Sequence, residues 1–566
     1  MESNIEDMKK IIYLFLMAIL PLTAQADAIE IKGIWYELMP STGIAHVAKG
    51  NYSGSIIIPG GVSYEGVDYT VAAINDYAFN NCSKVTSVTI GDYVKTIGKN
   101  AFYGCTEMSY LIIGNSVETI GYQAFFKCRS LTDLTIPNSV KTIDSQAFSG
   151  CKSLYTLILG DNLTSIGTSA FENCEELNHL YIPDGVISIG NSAFKNCTSL
   201  STLIIGNNVT SIGDYAFRNC SSLKSVTIPD NVETIGMHAF YGCSSMTEAT
   251  IGKGVTNIAT AAFCECCSLV TCTIGSNVKT IGSSAFSKCI KLYSMVIPKS
   301  VAKINNRAFY GCSRLTSVII PNSVTNIGDE AFMYCSSLAS ITIPNQITDL
   351  GSSAFEGCTS LTSVIIPNSL TFLSNGLFSG CSGLVSVTIG SGMARIYAGP
   401  FQKCTNLKDV YCLPKEVPYT DEHAFDQAYP EYATLHVPSG SIEAYSTSKP
   451  WNQFKEYVTL DGQEIPALPK CAKPVISFVD GKVSFSCATD GVEYVSEVTV
   501  DDAKTYFDSE FTLSQKYTIS VYAAKAGYED SDVTTSEFTI KTGDTNGDKK
   551  ITITDAVLIM DKILTR

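Results

Sequence analysis

The chain has 566 residues, of which 45% are apolar and only 16% are charged, and its net charge is −15. The length exceeds what one ordinary core can serve, and the acidic balance excludes the basic stripe that nucleic-acid binders need. An apolar fraction this high also excludes broad disorder.

Residues 1–26 read as a signal peptide. Lys9 and Lys10 precede an apolar run from Ile11 to Leu22, and Ala24-Gln25-Ala26 supplies a small-x-small cleavage pattern. Met8-Lys9-Lys10 is a more usual opening than the acidic residues before it. The competing reading is a membrane anchor, but the run is too short to span a bilayer comfortably. No Cys follows it, which argues against a lipid-anchored N-terminus, and no later stretch is long and apolar enough to be a transmembrane segment of the mature chain. The expected location is outside the cell or at its surface.

Residues 27–77 alternate like a hairpin and lead into Ala78-Phe79, as an N-terminal β cap would. Residues 78–415 are a repeat. Cysteines stand at 82, 105, 128, 151, 174, 197, 220, 243, 266, 289, 312, 335, 358, 381 and 404, always 23 residues apart. A Phe lies three residues before each, and an Ala precedes that Phe except where Leu377 and Pro400 stand. Other apolar columns keep step: Leu315, Val318, Ile320, Val324, Ile327, Ala331 and Phe332 precede Cys335. This is a leucine-rich-repeat pattern. One copy cannot bury its own apolar face, so stability must come from stacking. A Pro or Gly after the Ile, such as Pro321 or Gly206, ends each short strand. The expected fold is a mainly β repeat solenoid with terminal caps.

In such a stack the cysteines form a buried ladder of small apolar side chains. Export favours the rival reading, disulfides between neighbouring coils, although side chains pointing the same way would have to distort to bond. A linear ladder gives no convergent metal cluster. Cys272 and Cys412 occupy core slots; Cys264 and Cys267 flank Cys266 and are expected off the core. Cys471 and Cys487 lie beyond the repeat and could pair.

Strand residues alternate faces, so positions between the core residues define an exposed strip. The column two before the Pro/Gly is almost wholly β-branched or aromatic, and the column two earlier is mostly small and hydroxylated. Such residues fit any pleated surface. They also make a broad docking face for an extracellular protein or glycan. Tyr110, His179, Tyr181 and Tyr411 interrupt the columns and are the candidate ligand contacts.

After the repeat, residues 416–460 form an atypical terminal copy: Ala424-Phe425 arrives one residue late, and Ala428 replaces the cysteine. The repeat, the lead-in "YTVAAINDYAF" and the ending "LHVPSGSIEAY…W" resemble the BspA-like (Treponema-type) leucine-rich-repeat family of Bacteroidetes and other bacteria. The resemblance covers roughly residues 30–460. It implies a right-handed solenoid displayed or exported by bacteria for adhesion to matrix proteins, host cells, other bacteria or glycans.

Residues 461–474 read as a Pro-bearing linker. Residues 475–541 alternate in short strands, with an Asp480-Gly481 turn, and resemble a small Ig/Fn3-like β-sandwich with a spacer role. Residues 542–566 carry the one sharp chemical motif. Asp544, Asn546, Asp548, Thr552 and Asp555 fall at positions 1, 3, 5, 9 and 12 of an EF-hand-type calcium loop, with the Lys550 carbonyl at position 7. Apolar residues at helical spacing follow. Lys549 stands where Gly is usual, and Asp555 where EF-hands have Glu. The Asp at position 12 and the Asp-x-Asn-x-Asp opening resemble a dockerin repeat, although dockerins pair two loops and one stands here. The resemblance implies a cohesin-like partner.

The leading expectation is therefore a non-catalytic adhesin-like binding protein. The alternative is a non-catalytic accessory subunit of an extracellular carbohydrate-processing assembly, recruited through the tail. An enzyme is the weakest reading. The five histidines (46, 179, 238, 423, 436) are scattered, and no nucleophile elbow, His-Glu-x-x-His or phosphate loop is present.

Overall fold

The computed structural model describes residues 28–461, 471–479, 482–489, 492–507, 510–524 and 531–541. The signal segment, most of the linker and the six calcium-loop residues lie outside them. The chain divides into two compact units between Leu177 and Asn178.

The first unit opens with antiparallel pairing. Strand Ile34–Met39 bonds to Ile29–Ile31 on one side and to Ile44–Val47 on the other, and Gly61–Tyr64 bonds to Val67–Ile74. Val67–Ile74 then pairs parallel with both Ile44–Val47 and Thr96–Ile97. The cap thus converts hairpins into a parallel stack. Beyond it, residues 23 apart lie side by side: Ser87 beside Tyr110, Asp133 beside Thr156.

Most coils contribute two strands where the sequence reading expects one. The longer lies in the Leu-x-x-Val-x-Ile stretch. The second is a two-residue strand in the Val-x-x-Ile stretch, and it builds a parallel ladder of its own: Ile97, Ile120, Ile143 and Ile166 in the first unit, and Ile189 and Ile212 followed by Ile235 and Ile258 in the second. Between the two ladders the Ala-Phe-x-x-Cys segment runs through turns.

The core is a set of columns along the stack. Phe79 to Phe171 stack with ring centroids 4.6–5.3 Å apart. Phe194 to Phe425 do so at 5.1–6.1 Å in the second unit. The cysteine column has a second task beyond filling space. Each Phe carbonyl accepts the backbone N–H of the Cys three residues on, as Phe102 does from Cys105 at 3.2 Å. It also accepts a thiol from the next coil: Cys128 Sγ–H donates to the Phe102 oxygen at 3.2 Å, and Cys335 to Phe309 at 3.2 Å. A thiol is small, apolar and still a weak donor, so it fits a slot that also needs a proton. Burial pushes the Cys105, Cys151, Cys243, Cys312 and Cys381 thiols up to about 12. Thiols this desolvated hold almost no thiolate near neutral pH, and the thiolate is the reactive form.

Cys264 departs from expectation. Its side chain is buried, not off the core, and burial holds its thiol up at about 11. Cys272 is only half-buried in its strand.

Both ends of the Phe column are covered by larger rings. Tyr52 lies on Phe79 at 4.2 Å, and its hydroxyl donates to the Ala48 carbonyl. At the other end Phe425 meets Trp451 and Phe454 edge-on at 5.4 and 5.3 Å, with Tyr445 edge-on to Trp451. Trp451 Nε1–H donates to Thr420 Oγ1 at 3.0 Å, so the buried indole is satisfied.

The remaining described residues form two antiparallel sheets: Val475–Val479 with Lys482–Ser486, and Glu493–Phe507, Glu510–Ala524 and Thr534–Lys541 together. Strands Glu493–Phe507 and Glu510–Ala524 run fifteen residues each, longer than the short strands expected there. Thr534 Oγ1 donates to the Pro474 carbonyl at 2.5 Å, joining the last strand to the entry of the first.

Candidate functional site

The exposed face of the longer ladder is the candidate site. Strand His179–Ile182 shows how the sequence makes it. Leu180 and Ile182 are buried while His179 and Tyr181 face solvent. The neighbouring strand Thr202–Ile205 does the same, and the register sets His179 beside Thr202 and Tyr181 beside Ile204. Tyr181 is 52% exposed and Ile204 54%, high values for side chains of this size in a strand. The four make one contiguous patch, with an aromatic and an aliphatic surface beside an imidazole and a hydroxyl. In the first unit Tyr110, Ile112 and Ile158 are likewise exposed, with Tyr110 beside Ser87 and Ile158 beside Thr135.

Three of the four candidate contacts, Tyr110, His179 and Tyr181, therefore stand in solvent. Tyr411 is placed differently. Its ring stacks on His436 at 4.2 Å, and His436 Nε2 lies 3.0 Å from Asp409 Oδ1. Burial raises the Tyr411 phenol above its ordinary value, with Asp409 adding to the effect. Tyr411 is built into the last coils. Ten repeats separate it from Tyr181.

The turn side carries columns that the sequence reading passed over. Lys99 Nζ lies between the Tyr77 and Tyr122 rings, 5.9 and 5.7 Å from their centroids. In the second unit Tyr215 stacks on His238 at 5.0 Å, and the Arg218 guanidinium lies 4.7 Å from the Tyr241 centroid. The signal was present, since Tyr215 and His238, like Arg218 and Tyr241, are 23 residues apart. Desolvation lowers the His238 pKa, and the Arg218 charge lowers it further. These rings spend their faces on each other or on the cation. The sheet-side Tyr181 is far more exposed than the core columns beneath.

Among the described residues no group of three or more His, Cys, Asp or Glu is placed to hold a metal ion. Among the same residues no helix is long and apolar enough to cross a membrane.

The profile of the BspA type leucine rich repeat region matches in six copies over residues 72–201, 187–316 and 302–431, more than half of the chain. The chain belongs to the BspA-type leucine-rich-repeat family. Among solved structures, a BspA-type stack is matched by a leucine-rich repeat protein from Bacteroides ovatus at 27% identity and a TM-score of 0.55, covering 72% of this chain and 99% of that one. A leucine-rich cell-surface protein from Faecalibacterium prausnitzii is 27% identical over 68% of this chain and 95% of its own, with a TM-score of 0.37. The pneumococcal vaccine antigen PcpA is 18% identical over 78% and 99%, with a TM-score of 0.38. No curated protein matches the chain.

Proposed function

We propose that this is an exported, non-catalytic binding protein that holds an extracellular protein or glycan on the sheet face of its repeats. The observation that carries the reading is the row of large side chains left in solvent by otherwise well-buried strands, with Tyr181 and Ile204 side by side. Exposed aromatic and aliphatic surface in a contiguous patch marks interaction sites. Tyrosine in particular offers contact area at low entropic cost, with a hydroxyl for hydrogen bonding. Membership of the repeat family and the cell-surface description of the Faecalibacterium protein agree with display outside the cell.

The test is a panel of immobilised matrix proteins and glycans probed with the full chain and with a Tyr181→Ser, Ile204→Ser variant. Both positions are exposed, so the fold should be kept. Binding to whatever the wild type captures should fall about 10- to 100-fold, the loss expected for two central contacts. Equal capture by both proteins would move the site elsewhere.

The tail is proposed as a calcium loop, its donors Asp544, Asn546, Asp548, the Lys550 carbonyl, Thr552 and Asp555. Calorimetry should show calcium binding that Asp544→Ala abolishes, because position 1 supplies a carboxylate the ion cannot replace. Equal heats for the two proteins would end that assignment. Deleting 542–566 should leave panel binding intact; recruitment of a cohesin-like partner through the tail would instead be lost with it.

A further inference from the structure

One stretch of the sheet face is not open. Val296 and Ile319 are lateral neighbours in the same exposed column that holds Tyr181 and Ile204. Yet Ile319 is only 6% exposed, against 54% for Ile204. What covers it is Tyr522, in strand Glu510–Ala524 of the C-terminal sheet. Tyr522 is 3% exposed and forms one apolar cluster with Ile319 and Val296. Lys299 Nζ lies 3.6 Å from the centroid of the Tyr522 ring. The strand is sided: Val521 and Ala523 are fully buried, and by alternation Tyr522 points to the opposite face of its sheet. The docking point also sits at a break in the ladder. The two-stranded pairing of Ser294–Val296 with Ser317–Ile319 is the last before residues 338–344, which carry no strand.

We propose that the C-terminal three-stranded sheet is an internal lid on the sheet face, with Tyr522 as its latch. In the docked state Tyr522 fills the spot made by Val296, Lys299 and Ile319, and those coils take no outside partner. Undocking returns them to the binding face. A cation over a tyrosine ring and a small apolar cluster form a contact strong enough to populate the docked state and weak enough to release. The consequence for partner binding rests on the function proposed above; the docking itself does not.

The test uses the full chain with a photo-crosslinking amino acid in place of Val296. Irradiation should give an intramolecular crosslink to the peptide containing Tyr522, and a probe in place of Ile204 should not. Tyr522→Ala should cut the yield about tenfold or more. Lys299→Glu, at an exposed turn position, should do so too by setting a carboxylate against the ring face. This second variant keeps the test valid if Tyr522→Ala unfolds the C-terminal sheet. A crosslink that is absent, or that neither variant reduces, overturns the docking. If both variants lose the crosslink, capture on the matrix and glycan panel should rise about tenfold, as the freed coils around Val296 and Ile319 add contacts to the face already open at Tyr181 and Ile204. Capture that is present but unchanged would overturn the lid while leaving the binding reading standing.

Discussion

Raising the pH above about 9 should unfold this protein steeply, while its stability stays nearly level between pH 6 and 8. The cause is the thiol ladder. Burial raises the folded pKa of Cys105, Cys151, Cys243, Cys312 and Cys381 to about 12, and those of Cys128, Cys220, Cys335 and Cys358 well above their ordinary value. An unfolded thiol titrates near 8.5. Folding therefore favours the protonated form. That contribution is complete below about pH 8.5 and is lost as pH climbs toward the folded pKa. At pH 10 the loss is about 2 kcal/mol for each of the five thiols held at about 12. Several such terms together exceed the roughly 5–15 kcal/mol that holds an ordinary domain folded. Buried Tyr36 and Tyr52, also raised to about 12 by burial, add to the loss above pH 10. Circular-dichroism melts across pH 6–11, under reducing conditions, should show the melting temperature level and then collapsing. A level profile to pH 11 would mean that the thiols meet water.

Trp451→Ala should cost about 3–5 kcal/mol, the range for removing a fully buried large aromatic. The edge-on contacts with Phe425 and Tyr445 add to the side chain's worth, and Thr420 Oγ1 loses the hydrogen bond it accepts from the indole. In a stack whose stability is a sum over neighbour interfaces, damage to a cap is felt first at its own end. Amide exchange should therefore quicken first in the strands Asp409–Cys412 and Thr434–Val437. A loss below about 1 kcal/mol would show that the terminal coils do not depend on this ring.

Much of this fold is legible in the sequence because one register governs every column. A Phe three residues before each Cys, repeated at 23 without insertion, leaves no arrangement but stacking. The second ladder is harder to read. Two-residue strands such as Thr119–Ile120 are too short to display alternation, and their Ile columns read simply as core. The thiol-to-carbonyl hydrogen bonds are also hidden, since the sequence gives the Cys–Phe spacing within a coil but not which atoms meet across coils. Cys264 looked like a surface residue because its column elsewhere holds Tyr241, Ser287 and Tyr310; a small side chain there sinks inward.

The candidate site was legible to the same extent. Alternation alone puts Tyr110, His179 and Tyr181 in solvent. Tyr411 obeys the same alternation, yet its use is decided by His436, in a terminal coil whose register has slipped. The covering of Ile319 by Tyr522 joins residues about two hundred positions apart in different kinds of sheet, and no periodicity links them.

On the function proposed here, partners are held on the sheet side of the repeats. Amide exchange of the full chain, alone and saturated with a partner captured on the panel, tests it most directly. Protection concentrated in the strand segments 179–182 and 202–205, and absent from the turn segments 192–197 and 215–220, is the predicted result. Protection confined to the turn segments or to residues 544–555 would contradict it.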